Sequence, residues 1–345
     1  MPIVQHDDLG DLVLVALRHL GRAKWTSIAE KLQEYVAVQQ ILKKKRMGFV
    51  GGRGLQFNIF VNTSGQAKHL GLFETDSSDV SDVMAQGTVP WKHAHTKWDI
   101  EVREPMMDSG PAQIVDLVKI RKFDALLAFA EELEAKFWAV PASASDDPDP
   151  FGIDYWLVKN ATEGFNGGNH PNFSGGPAGI DRTVTKNANW KNYTFQYITV
   201  NKTDLVRKWR KAMTLTRFIS PVPHASYESG GTYGFYTNYN VIGPLEEALE
   251  AQNDRLGNDI ASMDGKLVMQ RIPVTWVPQL ETDSQDPLYG INWNVMKPVF
   301  LTADYLRETG PYMPTDQHNV RRVYTDLTYQ YVCYDPRKMF IGNIA

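Results

Sequence analysis

Cysteine is almost missing from this chain: Cys333 is the single one in 345 residues. One thiol forms no internal disulfide and builds no zinc cluster, so a stapled secreted scaffold and a structural zinc fold both drop out. Long apolar runs are missing as well, since no stretch approaches the roughly 18 uninterrupted apolar residues of a spanning helix. The start, Met1-Pro2-Ile3-Val4-Gln5-His6-Asp7-Asp8, has neither the basic region nor the apolar core of a secretory signal. These absences predict a soluble protein of a reducing compartment, with no membrane partner. Charge of one sign is also lacking, because 36 basic against 40 acidic side chains leave a net −4. No global positive field therefore draws nucleic acid to the whole molecule.

Catalytic signatures are equally scarce. The chain contains no Gly-x-Ser-x-Gly elbow, no His-Glu-x-x-His helix and no Gly-Lys-Ser/Thr phosphate loop. The glycine-rich stretch 164–180 has no strand–Gly-x-Gly–helix setting. His93-x-His95 puts two imidazoles on one strand face, half of a metal site, but no Cys, Asp or Glu completes it by spacing. Asp146, Asp147 and Asp149 alternate with prolines and lack the glycine and spaced glutamate of a calcium loop. Carboxylates are plentiful, so a paired-carboxylate glycosidase stays open at this level. Trp276 and Trp293 could stack on sugars, but a core or interface role is the favoured reading. The expectation is no enzyme, no cofactor and no metal.

What the chain does have is aromatic and turn-forming residues: 9 Trp, 15 Tyr, 26 Gly and 19 Pro, a balance that favours strands, turns and interfaces. Residues 7–46 read as an amphipathic helical lead, with Leu12, Val15, Leu20, Trp25, Ile28, Leu32, Tyr35 and Val36 at helical spacings. From Met47 to Met107 the pattern turns extended. Phe49, Leu55, Phe57, Ile59 and Val61 lead out to a polar tip near 62–87. Val89, Trp91, His93, His95, Lys97, Trp98, Ile100 and Val102 lead back. Legs this long leave strand edges that something else must cover.

Pro111 opens the clearest helix, 111–138, with a predicted stripe of Ile114, Leu117, Ile120, Phe123, Leu127, Ala130, Leu133 and Phe137. A second helix is predicted from Thr203 as N-cap through Leu205, Trp209, Ala212 and Met213. A third opens at Gly243-Pro244, with Glu246 and Glu247 in its first turn, and stops at Gly257. Strands are expected over 267–280, 323–333 and 339–344, so the fold class is α+β.

Charge patterns supply the remaining signal. Lys43, Lys44, Lys45 and Arg46 form one basic run, and Arg207, Lys208, Arg210 and Lys211 form a basic helix face. Each reads as a solvated face, a contact to packaged nucleic acid, or a contact to an acidic neighbour. On the 111–138 helix, Lys119, Arg121 and Lys122 precede Glu131, Glu132 and Glu134, an order that opposes the helix dipole. That frustration is either tolerated or offset by partner chains.

Taken together, the order of parts resembles the major capsid protein of tailed bacteriophages, the Hong Kong 97-type shell fold. Val89-Pro90-Trp91 leading to Trp98-Asp99-Ile100 resembles the return strand of that family's E-loop. Ile272-Pro273-Val274, Val277-Pro278 and Leu288-Tyr289-Gly290-Ile291-Asn292-Trp293 resemble its axial-domain strands, as does Tyr324–Tyr334 with Asp335-Pro336-Arg337. The resemblance implies an N-arm over 1–46 and an E-loop over 47–107. It implies a peripheral domain over 108–222 with spine helix 111–138, an axial domain over 223–335 and a terminal strand over 336–345. It further implies an icosahedral shell of hexamers and pentamers enclosing phage double-stranded DNA, a virion protein assembled in a bacterial cytoplasm. Scaffold, portal and cement proteins are the implied partners. No long charged prosegment precedes the arm, so the resemblance implies a separate scaffold or a trimmed precursor. Another phage ring or tube protein, an encapsulin-like compartment and a carbohydrate-active enzyme are the competing readings.

Overall fold

A computed structural model describes residues 33–43, 47–72, 75, 82–104, 111–143, 148–218, 232–253 and 267–345. In chain order, the first half holds α1 (Val36–Leu42), β1 (Met47–Phe49), β2 (Gly54–Phe60), β3 (Met84–Pro90), β4 (Lys92–Glu101), α2 (Pro111–Trp138) and α3 (Ile153–Trp156). Next come β5 (Tyr193–Tyr197), α4 (Leu205–Thr216), β6 (Tyr233–Thr237), α5 (Tyr239–Asn253), β7 (Val268–Met269) and β8 (Ile272–Trp276). The last part holds β9 (Leu288–Asn292), β10 (Met296–Leu301), β11 (Arg307–Tyr312), β12 (Val320–Cys333) and β13 (Phe340–Ile344). The helical lead expected over 7–46 lies outside the described residues except for α1. The chain forms two compact units, each gathered from separate stretches: one from 1–51, 92–135 and 299–329, the other from 52–91, 136–298 and 330–345.

The first unit is built on a sheet of order β1-β10-β12-β11, with β4 also on β12. β4 and β12 run antiparallel over ten pairs, from Lys92 opposite Tyr329 to Glu101 opposite Val320. Trp98, Ile100 and Val323 of these strands pack on Val118 and Ala125 of α2 in one apolar cluster. The stripe expected on α2 is met at Leu133 and Phe137, both buried, and is rotated from the observed one before them. Val118, Ala125, Phe129 and Leu133 are buried, whereas Ile120 is exposed and Leu117, Phe123 and Leu127 are half-buried. A helix with apolar residues around most of its circumference offers periodicity several faces to choose from.

The second unit holds the β2–β3 hairpin and a six-stranded sheet of order β5-β13-β9-β6-β8-β7. The return leg divides at Trp91: 84–90 pairs with 54–60, whereas 92–101 pairs with β12 instead. Both α4 and α5 close over the larger sheet, burying Leu205, Trp209, Met213, Val241, Ile242 and Leu245 in one core with Phe195, Phe235, Val274 and Phe340. The Trp209 ring meets Phe235 edge-on at 4.8 Å.

Three expected boundaries shift for local reasons. α4 starts at Leu205 because Asn201 Oδ1 accepts from the Thr203 and Asp204 amides, making a turn of the expected cap. α5 starts at Tyr239, one turn before Gly243-Pro244, so Pro244 lies inside it. Burial of Val241 and Ile242, and the Glu281 carboxylate on the Tyr239 amide at 2.7 Å, hold that extra turn. The strand expected over 267–280 is a two-residue hairpin, β7–β8, followed by a 3-10 turn at Pro278–Thr282. Gln270 and Arg271 both have positive φ, 51° and 67°, the backbone of a tight hairpin turn.

Candidate functional site

Conventional catalytic and ligand-binding chemistry is thinly represented. His93 and His95 point the same way from β4 and are exposed, and His93 Nδ1 lies 2.7 Å from Thr328 Oγ1. Among the described residues, no three His, Cys, Asp or Glu side chains gather to hold a metal ion. No described helix is long and apolar enough to cross a membrane. Trp293 is buried and gives its indole N–H to the Tyr236 hydroxyl at 2.8 Å, a core role. Trp276 is part-exposed and donates to Glu281 at 2.5 Å.

The surfaces are more informative. Residues 62–72 beyond β2 are all exposed, and Phe60, Leu70, Leu72 and Met84 show apolar side chains to solvent. Leu72 is 90% exposed, a placement that a monomer gains nothing from. The base of this hairpin is held firmly. Phe57 covers Gly87 across the pair and meets the Tyr334 ring at 5.5 Å. Where the strands end, Asn189 Nδ2 donates to the Val61 carbonyl at 3.1 Å, and Lys186 pairs with Asp82.

Lys186 and Asn189 end the long loop after α3, which Arg182 organises from inside. Its side chain is fully buried. The guanidinium donates to Gly168 O at 2.8 Å and Trp156 O at 2.9 Å, with Asn192 Oδ1 at 3.4 Å. Burial lowers its pKa to about 10, so it still carries charge at neutral pH. Two glycines are required here. A Cβ on Gly167 would overlap the Asn192 amide, and Gly176 (φ +78°) turns where a Cβ would strike Ile180 O. Sequence reasoning missed Arg182. The signal was available, for it is the first strong cation after a run, 164–180, with no Asp, Glu, Lys or Arg.

The charges expected on α2 are mostly occupied within the chain. Arg121 donates to Asp99 O and Glu104 at 2.5 Å each, and Lys122 pairs with Glu308 at 2.5 Å. Glu134 is buried and accepts from the Ala37 and Val38 amides at 2.8 and 3.3 Å, capping the first turn of α1 from a distance. A buried Glu134 is not displayed to a neighbour, and the reversed charge order on α2 is explained in part by these internal partners. Lys119 and Glu131 are half-buried and Glu132 is exposed.

On α4, Lys208 pairs with Asp204 and Lys211 with Glu163, both at 2.6 Å. Arg207 and Arg210 are exposed and pair with no carboxylate among the described residues. Lys43 is exposed and its Nζ donates to Gln40 Oε1 at 2.7 Å; Lys44, Lys45 and Arg46 lie outside the described residues.

One titratable group in the second unit carries a measurable consequence. The Asp154 carboxyl on α3 is enclosed by protein and accepts from the Tyr289 hydroxyl. Burial raises its pKa above 3.8, outweighing the opposing pull of Tyr289 and Lys159. An acid with a raised folded pKa stabilises the fold fully below its unfolded pKa and loses that contribution as pH rises through the folded value. Asp154→Asn, which keeps an acceptor for Tyr289, should therefore melt higher than the parent at neutral pH. The gap should vanish below pH 3.8; an equal gap at both pH values in thermal melts would refute the assignment.

No family model matches this sequence, and no curated protein matches it. Solved structures do. The chain aligns with the "Cyanophage A-1(L) capsid asymmetric unit" at TM-score 0.61 and 12% identity, covering 94% of this chain and 96% of that one. It aligns with the "Capsid of native GTA particle" at TM-score 0.55 and 11% identity, covering 95% and 96%. A chain from "Gordonia phage Cozz" aligns at 0.54 and 13% identity, covering 95% and 92%. Over nearly its whole length, the chain has the fold of these phage and GTA capsid chains.

Proposed function

We propose that this protein is the major capsid protein of a tailed bacteriophage, a structural rather than a catalytic protein that assembles with itself into an icosahedral shell. The observation that carries the reading is coverage: capsid chains match it over nearly its whole length and theirs. A shared fold does not by itself settle function, and the surfaces add support. The exposed apolar side chains of the β2–β3 hairpin need a covering surface, and the repeated contacts of a shell supply one.

In this reading 1–46 is the N-arm and 47–107 the E-loop, with β2 and β3 as its legs. α2 is the spine helix of a peripheral domain over 108–222. The axial domain spans 223–335, with β5 and α4 joined to its sheet and 299–329 given to the unit that holds most of α2, and 336–345 adds a strand inside that sheet. Subunits form the hexamers and pentamers of the shell. Scaffold, portal and cement proteins join it in the bacterial cytoplasm, and double-stranded DNA fills it through contacts blind to sequence. Negative-stain microscopy of the expressed protein tests the reading. Capsomers, shells or aberrant shell-like polymers are expected. Tubes or flat rings would move it to another phage structural class, and a stable monomer that hydrolyses glycosides would overturn it.

A further inference from the structure

The six-stranded sheet carries two helices whose outward charges are opposite and unanswered. α4 lies over β5 and β13 at one side of the sheet and shows Arg207 and Arg210 to solvent. α5 runs on from β6, three strands along, and shows Glu246 and Glu247. Three strand spacings amount to about 14 Å. Among the described residues none of these four side chains has an ion-pair partner, although Lys208 and Lys211 on the same basic face do. Helices of one layer in one molecule thus present complementary charges without joining them.

We infer that the second units of neighbouring copies associate side by side, the Arg207–Arg210 face of α4 in one copy against the Glu246–Glu247 face of α5 in the next. The occupant of each surface is a second copy of this chain. Because the two surfaces differ and lie apart on one sheet, the contact is heterologous: every copy offers both halves, and repetition closes a ring. A single exposed ion pair is weak, but every copy in a ring makes this contact twice, so small gains multiply. The contact also gives register, since a copy turned the wrong way sets like charges together.

The inference rests on the shell reading but fails separately from it. Three variants are compared with the parent by analytical ultracentrifugation at low salt: Arg207→Glu with Arg210→Glu, Glu246→Arg with Glu247→Arg, and all four together. Each double reversal should cut the assembled fraction by roughly tenfold or more, with an unchanged melting temperature because all four residues are exposed. The fourfold variant restores opposite charges across the contact and should recover assembly. Raising salt should weaken the parent toward the double variants as screening shortens to about 3 Å at 1 M. Double variants that assemble like the parent would overturn the contact while leaving the shell reading intact. So would a fourfold variant that melts normally and fails to assemble. Normal shells that release DNA more easily would assign the arginines to phosphate instead. Absence of any oligomer from the parent would remove the shell reading itself.

Discussion

With residues 63–81 replaced by a linker of about four residues, the chain is expected to fold and to stop assembling. The exchange leaves the hairpin base whole, since Val61 donates to the Val83 carbonyl at 2.9 Å and both clamps, Asn189 to Val61 and Lys186 to Asp82, lie outside the excised part. Residues 63–72 are exposed throughout, so their removal costs the monomer little burial. Thermal melts should agree with the parent within a few degrees, a shift worth about 1 kcal/mol at most. Sedimentation should show only small species where the shell reading expects the parent to assemble. Shells of normal stability would mean that the hairpin tip meets no neighbour.

Arg182→Met is expected to be among the most damaging single changes in the second unit. It keeps the length of the side chain and removes every donor, stranding the Gly168 and Trp156 carbonyls in a dry interior. Leaving a buried carbonyl without its donor costs about 1–3 kcal/mol, and two are stranded here, against a domain stability of about 5–15 kcal/mol. The loss should appear as a lower urea midpoint with an unchanged slope. Arg182→Lys should recover little, because one ammonium does not reach both carbonyls as a planar fork does. A loss under about 1 kcal/mol would be no more than one ordinary hydrogen bond and would show that the loop holds itself without the guanidinium.

Local signals made some elements legible. The 111–138 helix appears with the predicted limits, since Pro111 marks the start and Pro141 follows the end. The strand around Val323–Cys333 was legible from alternation only in its first part. Val323, Thr325 and Leu327 are buried between half-buried neighbours, but from Thr328 onward both faces are covered. Other features depend on contacts far apart in sequence. Nothing in the pattern of Lys92–Glu101 reveals that this stretch leaves its hairpin partner for residues more than two hundred positions away, because one apolar alternation serves either partner.

The same holds for the charged residues. Glu134 looked like a surface acid because its true donors, the amides of Ala37 and Val38, are backbone groups that composition does not show. Arg207 and Arg210 were visible as a basic face, and their lack of internal partners needed the structure. The acidic counterpart, Glu246 and Glu247, was read only as favourable first-turn chemistry. α5 in fact begins a turn earlier, which places them on its outer surface.

The order of strands in the second unit also governs the timing of synthesis. β13 lies between β5 and β9, pairing with β5 along Phe340–Ile344 and with β9 along Phe340–Gly342. β5 therefore waits for a partner made more than a hundred residues later, and the sheet stays split until residue 344 has left the ribosome. The N-terminal-first folding usual for growing chains is blocked here. Polysomes carrying many nascent copies side by side thus present no finished second unit to one another. A chain cut short before Phe340 lacks the strand that joins β5 to β9, so its second sheet stays open along that seam.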